Sequence, residues 1–153
     1  MAIAVEPALS PHLVVDDAAA AIDFYVKAFD AVELGRVPGP DGRLVHAALR
    51  VNGFLVMLND DFPEMSGGKS MTPKALGGTP VTIHLTVTDV DAKFQRALDA
   101  GATVVAELTD QFWGDRYGVV ADPFGHHWSM GQPMREVGYD EIQAAMSSMP
   151  SSG

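Results

Sequence analysis

The sequence predicts an α+β fold built from two copies of one βαβββ module. His12 and His84 each precede an aspartate by five residues, Asp17 and Asp89, so one offset of 72 residues relates both positions. In each copy an apolar strand is followed by an amphipathic helix and then by three further strands. Because neither copy could bury one face of its sheet alone, we expect the two copies to pair.

The first module, about residues 8–59, has a recognisable pattern for each element. Its predicted elements are strand 9–15, helix 18–29, strand 31–37, strand 44–51 and strand 54–58. Asp16 and Asp17 follow the first apolar strand and predict a helix cap, and the apolar residues after them recur at three-and-four spacing. Asn52-Gly53 between two apolar runs predicts a tight β-hairpin.

The pattern restarts in the second module, about residues 79–130, with Asp89 as the predicted helix cap and Asp122–Gly125 as the turn before the last strand. Residues 60–78 between the modules are rich in Gly, Pro, Ser and Met and lack periodicity, which predicts a linker or a mobile loop. A short amphipathic helix over 139–146 is predicted in the tail. We treat residues 1–153 as one domain.

The composition excludes several classes of function. The chain has no cysteine, which excludes disulfides and thiolate metal sites and is consistent with a cytoplasmic location. Its formal net charge is −10 with scattered basic residues, which argues against a nucleic-acid partner. No apolar run approaches the length of a membrane span, so we expect no membrane partner.

Three segments carry a family resemblance. They are "VDDAAAAIDFYVKAF" (15–29), "HLTVTDVDAKFQRALDAGA" (84–102) and "DQFWGDRYGVVADPFGHHWSM" (110–130). With these segments the chain resembles the vicinal oxygen chelate superfamily of glyoxalase I, bleomycin-resistance proteins and extradiol dioxygenases, and most of all its PhnB-like branch. The resemblance implies paired βαβββ modules that form a cup-shaped, partly open barrel, commonly in a homodimer.

The resemblance also implies where a divalent metal ion would be held. The four metal-ligand positions of the superfamily fall on Ser10, Met57, Thr82 and Ser129. None of these is a His, Glu, Asp or Cys, the side chains that a divalent transition metal prefers. We therefore predict that the usual metal site is absent and that no cofactor is bound there.

His12 and His84 each lie two residues after one of these replaced positions. Side chains two apart on a strand share a face, so both imidazoles should face the cup. They could hold a displaced divalent metal ion, with His46 or Glu33 as a further ligand, act as an acid and base pair, or contact a ligand. The alternative is that each histidine is a cavity-wall residue satisfied by its neighbours.

The adjacent His126 and His127 do not form a chelating pair in this interpretation. Neighbouring residues of an extended segment face opposite sides, so His127 shares the face of Ser129 while His126 and Trp128 belong to the other face. Trp128 is most simply explained as core packing. The segment is therefore expected to be a turn that enters a buried strand.

Trp113, Arg116 and Tyr117 lie on a glycine-bounded loop that enters a strand, and they could grip an anionic or planar ligand at the mouth of the cup. The alternative for Arg116 is a structural ion pair with Asp110 or Asp115. Three functions stay open: small-molecule binding without the usual metal, a metal-dependent lyase, isomerase or dioxygenase that uses His12 and His84, and a non-catalytic dimeric scaffold. The candidate ligand-binding residues are Ser10, His12, Met57, Thr82, His84, Trp113, Arg116, Tyr117, His127 and Ser129.

Overall fold

A computed structural model describes residues 2–151 and confirms the predicted α+β fold, with the same element order in both modules. The first module contains β1 (His12–Val15), α1 (Ala18–Phe29), β2 (Val32–Pro38), β3 (Leu44–Val51) and β4 (Phe54–Asp60). The connection contains a 3₁₀ turn (Pro63–Met65) and the short helix α2 (Pro73–Leu76). The second module contains β5 (Thr82–Thr86), α3 (Val90–Ala100), β6 (Thr103–Asp110), β7 (Asp115–Ala121) and β8 (His127–Pro133), and α4 (Tyr139–Ser147) follows.

Each module forms its own four-stranded mixed sheet, in the order β1-β4-β3-β2 or β5-β8-β7-β6. The first strand of each module pairs in parallel with the fourth, and the other pairs are antiparallel. His12 lies beside Met57 in the first sheet, and His84 lies beside Ser129 in the second. The predicted offset of 72 residues relates both members of the two pairs, as duplication of one module requires.

The predicted hairpin and the first helix cap have the expected local geometry. Asn52 and Gly53 both have positive φ angles, 53° and 84°, which the tight hairpin turn requires and which these two residue types tolerate best. The Asp17 carboxylate accepts a hydrogen bond from the Ala20 amide at 3.0 Å and caps α1.

A second, duplicated contact holds the start of each long helix against the last strand of its module. The buried Asp60 carboxylate accepts a hydrogen bond from the Ala18 amide at 2.7 Å, and the Gln132 side-chain oxygen accepts one from the Val90 amide at 3.0 Å. Asp89, the predicted cap of α3, precedes that helix but its side chain makes no cap hydrogen bond. Gln132 supplies the acceptor from β8 instead, a long-range contact that local spacing does not reveal.

The long helices α1 and α3 form a layer between the two sheets. Helix α1 packs on all four strands of the first sheet, α3 packs on β6, β7 and β8, and the two helices also pack against each other. Tyr25 and Phe29 of α1 reach across to Trp128 of β8, with ring centroids 5.3 and 4.7 Å apart. Each sheet therefore has one face covered by the helices and one open face directed away from them.

A buried carboxylate joins the modules inside this layer. Asp122 is 4% exposed and accepts hydrogen bonds from the Tyr25 hydroxyl at 2.6 Å and the Trp128 indole at 2.9 Å. It also accepts bonds from the backbone amides of Phe124 and His126. Burial raises the pKa of Tyr25 well above its ordinary value, and the neighbouring Asp122 charge adds to the effect.

The connection between the modules has more local order than its composition indicates. The Asp61 carboxylate accepts hydrogen bonds from the Ser70 hydroxyl and the Met71 amide. The Arg43 guanidinium stacks on the Phe62 ring at 4.2 Å and forms an ion pair with Glu64. These contacts link residues far apart in sequence, which explains why periodicity predicts none of them. Across residues 2–151 every helix is too short or too polar to span a bilayer.

Candidate functional site

The alternation of buried and exposed residues along the strands identifies the open face of each sheet. Leu13 of β1 and Leu58 of β4 face the helices, so His12 and Met57 face outward. The same alternation places His84 outward on β5. The open face of the first sheet carries His12, His46, Ala48, Met57 and Asn59. The open face of the second sheet carries Thr82, His84, Asp115, Tyr117, Val119, His127, Ser129 and Gly131.

The open face of the first sheet brings two histidines together. The His12 and His46 rings meet edge to face with centroids 6.1 Å apart, and Met57 is the strand neighbour of His12. Glu33, considered above as a further metal ligand, pairs with Arg36 on the outer strand β2 and lies beside the helix-facing Leu49. His46 is therefore the neighbour of His12 that this face supplies.

The open face of the second sheet holds a more connected group. The His84 Nδ1 atom and the Ser129 hydroxyl lie 2.8 Å apart in a hydrogen bond, and Ser129 is buried. The His84 ring is inclined by 22° to the Tyr117 ring with centroids 5.9 Å apart, and Trp113 meets Tyr117 edge to face at 5.5 Å. His84, Ser129, Tyr117 and Trp113 are thus four predicted site residues in one contiguous cluster.

Glycine at position 131 makes room for this cluster. A Cβ at residue 131 would stand 2.9 Å from His84 Cε1 and 3.3 Å from His84 Nε2, so an alanine would displace the imidazole. The same point lies 3.4 Å from Asp115 Oδ2. Sequence reasoning did not place Asp115 in the site, although its position two residues before Tyr117 on one strand could have done so.

Arg116 lies on the opposite face of β7 from Tyr117, next to helix α3. Its guanidinium binds the Asp91 carboxylate at 2.9 Å and the Asp110 carboxylate at 3.1 Å. The structural ion pair with Asp110 that the sequence left open is therefore present, with Asp91 as an additional partner. Two carboxylates neutralise the one guanidinium, which leaves little positive charge for an anionic ligand.

The two adjacent histidines have different surroundings, as the strand alternation predicts. The His126 Nε2 atom bonds to the Val14 carbonyl at 2.9 Å, and Trp128 on the same face is fully buried in the core. His127 pairs with Thr82 across β5 and β8 and is partly exposed on the open face. His126 therefore joins the second module to β1 and is not a member of the open-face group.

Ser10, His12 and Thr82 meet at the edges of β1 and β5, where they line a groove of about 560 Å³ together with His126. A separate groove of about 340 Å³ lies at the other end of the first open face. Met65 and Met71 of the connection line it together with Val14 and Asn59. Ser10, His12 and Thr82 thus come together at neighbouring strand edges, while the other predicted site residues are divided between the two sheets.

The residues at the four usual metal positions do not fit a divalent ion. The Ser129 hydroxyl is buried and already bonded to His84, Met57 offers a thioether, and Ser10 and Thr82 offer neutral hydroxyls. Within residues 2–151 no three His, Asp or Glu side chains converge as a metal-binding group. The histidines that could replace the usual ligands lie on separate open faces.

Comparison with known proteins supports the fold read from the geometry. The sequence profile of the Glyoxalase/Bleomycin resistance protein/Dioxygenase superfamily matches residues 7–130. The chain belongs to this superfamily. The uncharacterized protein Rv0887c of Mycobacterium tuberculosis is 86% identical over 148 residues, which cover 97% of this chain and 87% of that protein.

Solved structures share the same architecture. TioX from Micromonospora sp. ML1 is 32% identical, with a TM-score of 0.64 over 84% of this chain and 99% of that one. The PhnB protein from Bacillus cereus is 19% identical, with a TM-score of 0.61 over 81% and 98%. The fosfomycin resistance protein FosX from Listeria monocytogenes, solved with Mn(II) and sulfate, is 14% identical, with a TM-score of 0.61 over 94% and 99%.

Proposed function

We propose that two copies of this chain assemble so that the first sheet of one copy and the second sheet of the other form a cup that binds a small molecule. The observation that carries this proposal is the helix layer between the sheets. Because α1 packs on the first sheet, α3 packs on the second and the two helices pack against each other, we infer that the two open faces of one chain are directed away from each other. A cup between a first and a second open face requires a second copy.

The edges of the sheets support such an assembly. Strands β1 and β5 each end their sheet with one edge that has no partner strand among residues 2–151. Apolar side chains are exposed beside these edges, with Leu9 99% and Val81 63% accessible. Open strand edges and exposed apolar side chains favour association with another chain. A homodimer that covers both edges would bring His12 and Met57 of one copy opposite His84 and Ser129 of the other.

The chemistry of the open faces favours binding without the usual superfamily metal. The first open face carries imidazole, thioether and small side chains, and the second carries imidazole, aromatic, hydroxyl and carboxylate side chains. The four usual ligand positions carry no strong metal ligand. We assign the chain to the PhnB-like branch on the three sequence segments quoted above, and the fold likeness to the Bacillus cereus protein is consistent with this assignment. The absence of cysteine is consistent with the cytoplasm as its location.

A thermal-shift screen with a library of small metabolites tests this function. Ligands of the native state raise the melting temperature by mass action. We expect hits whose shift is lost in Met57→Ala and His84→Ala, one variant for each open face, and kept in Arg116→Ala, the matched control on a covered face. Hits that bind all four proteins equally would place the site elsewhere. Elemental analysis of protein purified without chelator is expected to show far less than one divalent ion per chain.

One observation favours a second candidate, a metal-dependent lyase, isomerase or dioxygenase. The His12–His46 pair could supply two ligands, and His84 of the partner subunit could supply a third from the opposite face. If this second function is correct, protein that is incubated with Zn²⁺ or Mn²⁺ and then dialysed should retain about one ion per cup. The double variant His12→Ala/His46→Ala should retain none. Equal retention by His126→Ala and the double variant would exclude these ligands.

A further inference from the structure

The aromatic cluster on the second open face has an unpaired carboxylate beside it. Asp115 is partly exposed on the open face, and within residues 2–151 no hydrogen-bond donor or basic group pairs with its side chain. The neighbouring acidic residues differ, because Asp91 and Asp110 are both held by Arg116 on the opposite face. Asp115 therefore presents uncompensated negative charge to whatever occupies the cup.

Aromatic rings lie on the same open face as this carboxylate, since Tyr117 is two residues from Asp115 on β7 and contacts Trp113. Trp113 and Tyr117 meet at an interplanar angle of 72°, so the two rings form a corner, and the His84 ring stacks on Tyr117 at an angle of 22°. A Cβ at residue 131 would lie 3.4 Å from Asp115 Oδ2 and 2.9 Å from His84 Cε1, so the carboxylate and the imidazole border the same space above Gly131. An aromatic corner with an adjacent carboxylate is the arrangement that binds organic ammonium groups, through ring faces and one opposite charge.

We propose that Trp113, Tyr117 and Asp115 bind a cationic nitrogen of the ligand, such as a substituted ammonium group. This inference rests on the proposed ligand-binding function and specifies the chemical class of the ligand. It replaces the anionic ligand that Arg116 suggested in the sequence, because Arg116 faces α3 and is neutralised by two carboxylates. The overall charge of −10 also favours the approach of a cation.

The probes are choline and 3,3-dimethylbutan-1-ol. The second is the uncharged isostere of choline, in which carbon replaces the ammonium nitrogen. Binding is followed by calorimetry and by the change in tryptophan fluorescence. We expect Trp113 to account for this change, because Trp128 is buried in the core away from the ligand. We expect choline to bind at least about tenfold more tightly than the isostere. Asp115→Asn and Trp113→Leu should each weaken choline binding by about fivefold or more.

Asp99→Asn is the matched control, because it removes the same charge from the exposed surface of α3, away from the cluster. It should bind choline as the parent chain does. Equal binding of choline and isostere, equal binding by Asp115→Asn and Asp99→Asn, or no binding of choline at all would each overturn the inference. Screening hits that are neutral or anionic would overturn this inference alone, whereas a complete lack of hits would overturn the proposed function itself.

Discussion

The covered and open faces of the two sheets differ in how fully their polar groups are paired. On the covered side Asp60 and Asp122 are buried, and each accepts at least two hydrogen bonds. On the open side the Asp115 carboxylate and the His84 Nε2 atom have no protein partner within residues 2–151. Polar groups on the covered side thus stabilise the fold, and those on the open side are available to a ligand.

The largest effect is expected from Asp122→Ala on the covered side. The Tyr25 hydroxyl, the Trp128 indole and the backbone amides of Phe124 and His126 all lose their acceptor. Buried donors without acceptors are costly. We expect the free energy of unfolding to fall by about 3–4 kcal/mol in urea titrations. Asp99→Ala on the surface is the control and should change it by less than about 0.5 kcal/mol. Equal effects of the two variants would mean that Asp122 does not join the modules.

Two glycines on adjacent strands contrast the two sides directly. A Cβ at Gly118 would stand 2.7 Å from Phe94 Cε2 and 3.0 Å from the Leu108 backbone, so Gly118→Ala should cost about 1–3 kcal/mol of stability. A Cβ at Gly131 would meet the His84 side chain, which can move toward solvent. Gly131→Ala should therefore keep most of the stability and lose ligand binding. If Gly131→Ala is destabilised as much as Gly118→Ala, the open face is packed as tightly as the covered face and this prediction is wrong.

The buried Tyr25 hydroxyl predicts a dependence of stability on alkaline pH. Burial and the Asp122 charge raise the pKa of Tyr25 in the native state, while an unfolded tyrosine loses its proton at about pH 10. The stabilisation is therefore complete below about pH 10 and is lost as the pH rises through the native pKa. Unfolding of the parent chain and Tyr25→Phe at neutral and alkaline pH measures it. The variant should be less stable at neutral pH and lose less stability above about pH 10.

The smallest effect is expected from Arg116→Ala. Its ion pairs with Asp91 and Asp110 involve exposed carboxylates, which contribute little in water. Asp91 has a lowered pKa because the Arg116 guanidinium bonds to it, so the variant should restore a more ordinary titration of that carboxyl. Ligand affinity should stay within about twofold of the parent chain. A larger loss of affinity would show that Arg116 contributes to ligand binding.

The sequence predicts the modules and the parity of the strands well, because both follow from local patterns. The repeat of His12 and Asp17 at His84 and Asp89 identifies the duplication, and strand alternation separates His126 from His127. It does not predict that Gln132 bonds to the start of α3, or that Asp91 pairs with Arg116, because these contacts join residues 42 and 25 positions apart. The position of the helix layer is also a tertiary property that no spacing encodes.

We propose that one chain presents two open faces in different directions and that two chains share each cup. Ala48 lies beside Met57 on the first open face, and Val119 lies beside Ser129 on the second. Since the chain has no cysteine, Ala48→Cys and Val119→Cys can each carry a single spin label. A doubly labelled chain diluted with unlabelled chain gives the distance within a chain. A mixture of the two singly labelled chains gives the distance between chains.

A helix layer between two sheets separates the sheets by about 20 Å, so labels on the two outer faces of one chain should lie farther apart than that. Labels that face each other across a shared cup should be closer. We expect the distance between chains, measured by dipolar electron spin resonance, to be shorter than the distance within a chain. No coupling between chains, or a distance within the chain that is the shorter of the two, would contradict it.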